Sequence, residues 1–272
     1  MSQLSLQNHL FCNNKQLTKR IFAELDIPHP KSLVFRDLHR DQERIRLFWQ
    51  AGVTYVCKPL NGTEGEGVGM YIKSMDDLDK YWQQWSRIDD CFLLEEQIEG
   101  QDVRMQVVGG RLLAACIREP AFVVGDGDSS IDELISARRK IMQKQNPANR
   151  LDVDAITLRL LQKQNLHLQA VPELQHKVQL KYVANMSQGA IATDVTEEIA
   201  PVFHEWINRF SQKTGMRLFA FDALAMDHRS GQPGTAFALE INPLPEWMHH
   251  TFSEKRQHDV AGAILRNLFG IQ

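Results

Sequence analysis

The sequence predicts an α+β fold of two lobes, on three observations. Segments with helical apolar spacing alternate with short apolar runs of strand length, a glycine-dense turn splits an early strand pair, and Gly109-Gly110 joins two later strands.

Residues Asn14 to Leu25 place Leu17, Ile21, Phe22 and Leu25 at helical spacing, and Ile27-Pro28-His29-Pro30 stops that helix. A short strand and a second helix reaching Gln50 follow, making an N-terminal segment over 1–52. Val53 to Pro59 reads as a buried strand, Gly62 to Gly69 as a flexible turn, and Val68 to Ile72 as the returning strand. A helix over Met75 to Trp85 and a strand over Cys91 to Glu95 complete a small lobe, 53–98. The large lobe, 99–272, begins with strands Val103 to Val108 and Arg111 to Ile117, joined by the two-glycine signal of a tight hairpin. An α-rich insertion is expected at about 122–188, with helices near Ser130 to Lys144 and Asp154 to Gln164. A helix over Glu197 to Thr214, strands Leu218 to Met226 and Thr235 to Ile241, and a last helix over Asp259 to Leu268 finish the chain.

Of the 272 residues 43% are hydrophobic and 24% charged, enough apolar material for a substantial core. The 31 basic and 34 acidic residues are spread along the chain and leave a formal charge of -3, which does not favour a nucleic-acid partner and leaves small molecules as the expected ones. No apolar run approaches bilayer length and no signal-peptide pattern opens the chain, so neither a membrane nor secretion is expected. Cys12, Cys57, Cys91 and Cys116 form no CxxC pair and sit mostly in apolar runs; they read as buried thiols of a reducing cytoplasm.

Three segments could carry chemistry. Lys58 ends a strand and is followed by Gly62, Gly65, Gly67 and Gly69, a loop able to lay backbone N–H groups around phosphate oxygens. It matches neither GxxxxGK[ST] nor GxGxxG, so it is either a strand-loop-strand phosphate lid or an ordinary mobile hairpin. Asp222 interrupts one late apolar strand, and Glu240 and Asn242 interrupt the next, where alternation places both on one face. Two carboxylates and an amide oxygen are hard ligands of the kind Mg²⁺ takes; the alternative is a solvated strand end, where the carboxylates would repel. The segment Leu93 to Asp102 connects the lobes and could expose amides to a purine edge, or be a charged hinge.

Together these segments resemble the ATP-grasp superfamily, and most closely the ATP-grasp region of cyanophycin synthetases and bifunctional glutathione synthetases. The resemblance runs from about Asn14 to Gly270. It includes Asn14-Lys15-Gln16-Leu17-Thr18-Lys19, the Lys58-Pro59-Leu60 loop, Arg118-Glu119-Pro120-Ala121, Val124-Gly125-Asp126-Gly127, Thr157 to Leu161, Ala184-Asn185-Met186-Ser187-Gln188-Gly189 and Glu240-Ile241-Asn242. It implies an ATP-grasp fold of two α/β lobes gripping a nucleotide, without the complete leading N-terminal domain of many relatives.

The resemblance makes Lys15 and Lys58 the lysines that hold the nucleotide's phosphates, beside Gly62, Gly65 and Gly67. Glu95, Gln97 and Ile98 look like the adenine-binding hinge and Asp102 like the ribose contact. Asp222, Glu240 and Asn242 look like the ligands of Mg²⁺ or of Mn²⁺ in its place. Arg104 and Arg118 resemble the basic residues facing the acyl phosphate and substrate carboxylate, and Asn185, Ser187 and Gly189 a substrate-side loop. Lys15 and Lys19 could instead form a solvated helix face, the reading preferred for Lys19, and the two arginines could pair with nearby acids.

The implied protein is a cytoplasmic ATP-dependent carboxylate–amine ligase whose small-molecule acid and amine are amino acids or short peptides. A homo-oligomer or a partner chain is expected to complete the acid-binding side. Glu66 stands where relatives carry a basic residue, and Glu246 follows the metal segment where the branch has an arginine nearby. Both support the alternative, a non-catalytic nucleotide- or partner-binding module. Other signals are poorer: Ser187 lacks the first glycine of a nucleophile elbow, and His204-Glu205 is not part of HExxH. His249, His250 and His258 lack metal-ligand spacing and read as surface or pocket residues, and Trp82, Trp85 and Trp206 as packing residues.

Overall fold

The computed structural model describes residues 12–61, 67–145, 149–184 and 186–270. Chain contacts divide into two compact units: Met1–Ala115 with Thr196–Pro245 and Ala261–Gln272, and Cys116–Val195 with Glu246–Val260.

The first unit opens with α1 (Lys15–Glu24), started by the Asn14 side chain, which accepts from the N–H groups of Gln16 and Leu17 at 3.1 Å each. Strand β1 (Ser32–Phe35), α2 (Gln42–Phe48), β2 (Tyr55–Pro59), β3 (Gly69–Ile72), α3 (Met75–Trp85) and β4 (Phe92–Glu96) follow. The four strands form an antiparallel sheet in the order β1-β4-β2-β3. Along β2 Tyr55, Cys57 and Pro59 are buried in alternation, and Tyr55 and Cys57 pack with Phe92, Leu94, Ile45 and Leu78. Trp82 and Trp85 pack against that core, as their helical spacing predicts.

Strands β5 (Gln101–Val108) and β6 (Arg111–Glu119) form the expected hairpin, with Gly109 at φ 66° and Gly110 at φ 80°, the left-handed pair a two-residue turn requires. Strand β5 pairs with β10 (Leu218–Ala225), and β10 with β11 (Ala236–Asn242). The helix before β10 is α6 (Pro201–Thr214), shorter at its start than the sequence suggests. Pro201 occupies its first turn, where the missing N–H is harmless, and Gly215 ends it at φ 72°. Helices α1 and α6 bury an aromatic cluster against β10: Phe22 lies 5.5 Å from Phe221 and Phe210 lies 5.3 Å from Phe219, centroid to centroid.

The second unit takes the end of β6, which pairs antiparallel with β9 (Ile191–Asp194). Its inserted region holds α4 (Ile131–Gln145) and α5 (Ala155–Lys163), near their expected positions. It is not purely α-rich: β7 (Phe122–Val124) and β8 (Lys177–Gln179) form a two-stranded antiparallel sheet, against whose Val123 and Val178 the helices bury Ile131, Ile135 and Leu161. A short α7 (Met248–Thr251) belongs to this unit as well, and α8 (Val260–Phe269) ends the described chain. No helix among the described residues is long and apolar enough to cross a membrane. The four cysteines are buried and none is in a disulfide.

Candidate functional site

Strands β2 and β4 alternate, so the face opposite the Tyr55 and Cys57 core carries Lys58 and Glu95; Val56, on the Lys58 side, stands directly across from Glu95. The Glu95 carboxylate lies between two ammoniums. Lys58 Nζ contacts Oε1, and Lys19 Nζ lies 2.9 Å from Oε2. Glu95 and Lys19 are 3% and 4% exposed, which corrects the reading of Lys19 as part of a solvated helix face. Lys19 and Lys15 stand one helical turn apart, so a helix that presents one to the strands presents the other. Lys15 is also buried, its Nζ 3.5 Å from the Leu60 carbonyl oxygen.

Glu240 is an electrostatic neighbour of all three lysines, and Asp89 acts on Lys15 as well. Burial acts to raise the Glu95 pKa, but Lys58 and Lys19 outweigh it and hold the carboxyl down at about 2. For Lys58 burial acts downward, and Glu95 and Glu240 overcome it, so its pKa is raised. Lys15 and Lys19 are lowered, burial being the largest cause for each.

Strands β5, β10 and β11 set Arg104, Asp222 and Glu240 in one cross-strand row. Between Asp222 and Ala223 the register slips: Ala223 pairs with Ala238 but Asp222 pairs with Glu240, leaving Leu239 as an extra residue. The bulge turns Glu240 and Asn242 to the Asp222 side of the sheet while Ala236 and Ala238 stay on the other. Arg104 Nη1 lies 3.1 Å from Asp222 Oδ2, both side chains buried. Of the two readings of Arg104, pairing with a nearby acid is therefore what the structure contains. Glu240 and Asn242 are half-buried, and Asn242 Oδ1 accepts from the Leu244 N–H at 3.2 Å. Two carboxylates and an amide oxygen on one face fit a hard divalent cation. Among the described residues no group of three or more His, Cys, Asp or Glu side chains is arranged to hold a metal ion.

Within β4 the backbone of Glu95 lies in the ladder between Ser32 and Val56, so what it offers this site is its side chain. The Gln97 N–H donates to the Thr54 carbonyl at 2.8 Å and its Oε1 accepts from the Tyr71 N–H at 2.9 Å. Ile98 is half-buried, and Asp102, also half-buried, pairs across the sheet with Leu224. Gly67, at φ 71°, accepts from the Tyr81 hydroxyl at 2.7 Å, which ties this end of the loop to α3. Gly62, Gly65 and Asn185 lie outside the described residues, as do Glu64 and Glu66.

Arg118 and Gly189 belong to the second unit. Arg118 stands opposite Ala192 in the β6–β9 ladder. Ser187 lies in the 3₁₀ turn Met186–Gln188, and Gly189 follows at φ 92°, with a Cβ position that would meet Leu151 Cδ1 at 2.7 Å. In the same unit His249 and His250 are buried, 4% and 0% exposed, rather than at the surface, and His258 Nε2 lies 2.7 Å from Asp194 Oδ1.

No family model matches the chain. It is 29% identical over 265 residues to a cyanophycin synthetase of Trichormus variabilis, a match covering 94% of this chain and 29% of that protein. It is 27% identical over 267 residues to the glutathione biosynthesis bifunctional protein of Clostridium perfringens, covering 95% and 34%. The chain thus spans about a third or less of the length of these relatives. Among solved structures, a bifunctional glutathione synthetase from Pasteurella multocida superimposes with a TM-score of 0.68 at 23% identity, over 100% of this chain and 38% of that one. A D-alanine–D-alanine ligase from Bacillus anthracis gives 0.55 at 14%, over 96% and 68%. The ATP-grasp ligase PsnB gives 0.54 at 14%, over 96% and 62%. The chain has the ATP-grasp fold, and the relatives it matches are synthetases and ligases.

Proposed function

We propose that the chain is an ATP-dependent carboxylate–amine ligase that forms a peptide or amide bond through an acyl phosphate. The observation that carries this reading is the set of buried Lys15 and Lys19 and partly buried Lys58 about Glu95, with Glu240 of the carboxylate row as their electrostatic neighbour, on an ATP-grasp fold. A carboxylate attacking the γ-phosphorus of ATP approaches a polyanion, and grouped ammoniums offset that repulsion. Lys15 and Lys58 hold the phosphates, and Gly62, Gly65 and Gly67 add backbone amides. Gln97 and Ile98 receive the adenine edge and Asp102 the ribose.

Asp222, Glu240 and Asn242 hold Mg²⁺ or Mn²⁺, which when bound offsets charge on the transferring phosphoryl group. Arg104 keeps the Asp222 carboxylate compensated and aimed, while Arg118, Asn185, Ser187 and Gly189 serve the acid and amine. The carboxylate takes the γ-phosphoryl group and ADP leaves; the amine then attacks the acyl carbon and displaces phosphate. The substrates are amino acids or short peptides, as the names of the relatives suggest. Four buried cysteines outside any disulfide support a cytoplasmic setting.

The test incubates the protein with ATP, Mg²⁺ and pooled amino acids and dipeptides, following ADP release and masses equal to acid plus amine minus water. ATP-dependent condensation is expected. ATP binding without ADP release in any pool would support the binding-module reading instead.

A further inference from the structure

Two lysines share one buried carboxylate, and only one of them, Lys58, stands at the end of a strand that runs into the glycine loop. Lys58 Nζ and Lys19 Nζ take separate oxygens of Glu95, the latter at 2.9 Å. We infer that Lys19 is a positioning residue: it stays on Glu95 while Lys58 exchanges Glu95 for a nucleotide phosphate, so that releasing Lys58 does not strand a buried anion. This rests on the nucleotide-site reading above and says how that site switches between its empty and loaded forms.

If Glu95 had Lys58 as its sole cation, moving Lys58 to a phosphate would leave a carboxylate buried and uncompensated, a penalty subtracted from nucleotide affinity. The Asn14-capped helix prevents this by supplying a second cation at Oε2. Lys19 Nζ is itself buried, with no hydrogen bond among the described residues beyond its ion pair with Glu95, so its part in the pocket runs through that carboxylate. Lys15, one turn earlier on the same face, has Glu240 ahead of Glu95 among its electrostatic partners.

The experiment measures MgATP binding by calorimetry in a set of variants, and steady-state constants wherever ADP is released. Lys19→Met is expected to weaken MgATP about tenfold, seen in KM rather than kcat, with Lys19→Arg within about threefold of the parent. In a Lys58→Met background, where no lysine is left to release, the same Lys19→Met change should alter affinity less than about twofold. Equal losses in both backgrounds would overturn the inference and make Lys19 a general source of positive potential. Lys19→Met/Glu95→Gln, compared with Glu95→Gln alone, removes the cation where no anion is left to strand and serves if Lys19→Met does not fold. A difference of less than about twofold between these two is expected, and a tenfold loss would overturn the exchange. A parent protein that binds no MgATP would fail the nucleotide-site reading itself, an outcome distinct from a parent that binds while Lys19→Met binds equally well.

Discussion

Glu240 and Glu95 are both carboxylates near lysines, yet their surroundings give them different tasks. Glu240 is half-buried on the Asp222 face, so Glu240→Gln keeps shape and packing while removing one charge from the proposed metal site. It should fold normally and turn over roughly a hundredfold more slowly, about 3 kcal/mol of barrier, read as kcat under saturating ATP and substrates. Parental turnover would remove the metal assignment. Glu95 is held at a pKa of about 2 against an ordinary 4.5, although burial pulls the other way. A depressed carboxyl contributes stability that is present above the unfolded pKa and lost as the pH falls through the folded one. The window is therefore pH 4.5 down to about 2, and the contribution of order 3 kcal/mol. Denaturant unfolding across that window should show the acid slope, and Glu95→Gln should flatten it at the expense of stability at neutral pH, where two buried lysines lose their anion.

At the scale of elements, Gly125 links β7 to the rest of the inserted region, and a Cβ there would lie 2.2 Å from the Glu173 carbonyl oxygen and 2.8 Å from that of Pro172. Backbone cannot yield as a side chain can, so Gly125→Ala should destabilise by about 1–3 kcal/mol, visible as a lowered Tm. The close approach could not be read from the sequence, because it depends on β7 finding β8 more than fifty residues later, and three-residue strands carry no periodicity. The helix Met75–Trp85 was legible to the residue because its signals are local: Ser74 caps it, with the Asp77 N–H donating to the hydroxyl at 3.1 Å. The Gly109-Gly110 turn was legible for the same reason. Asp222, Glu240 and Asn242 stood out as polar interruptions of apolar strands, and Lys58 as a lysine ahead of a glycine-dense loop. Lys19 did not, since a lysine on a helix is ordinarily solvated and its burial is decided by a strand more than seventy residues away. The burial of His249 and His250 was not legible either, on a four-residue helix too short to show a buried face.

For the whole molecule, the assignment of residues to the two units makes a prediction of its own. Lys15, Lys19, Lys58, Glu95, Asp222 and Glu240 fall in the first unit, and Arg118 and Gly189 in the second. MgATP alone should slow amide exchange chiefly in β2, β4, β10 and β11, and the acid substrate should add protection in β6 and β9. Exchange mass spectrometry with each ligand separately would reject this division of labour if MgATP protected only the second unit. The extra residue in β11 has a consequence for lineages rather than for any one molecule. With Leu239 present, the alanines before it and the polar Glu240 and Asn242 after it look to opposite sides, so losing or gaining one residue inside the strand would exchange carboxylate for methyl on that face. The turn just before it, with Gly231, Pro233 and Gly234 exposed, has no such polarity to protect. Variation in length among descendants of this chain should therefore collect in that turn, and an alignment that opens a gap within β11 is aligning the wrong residues.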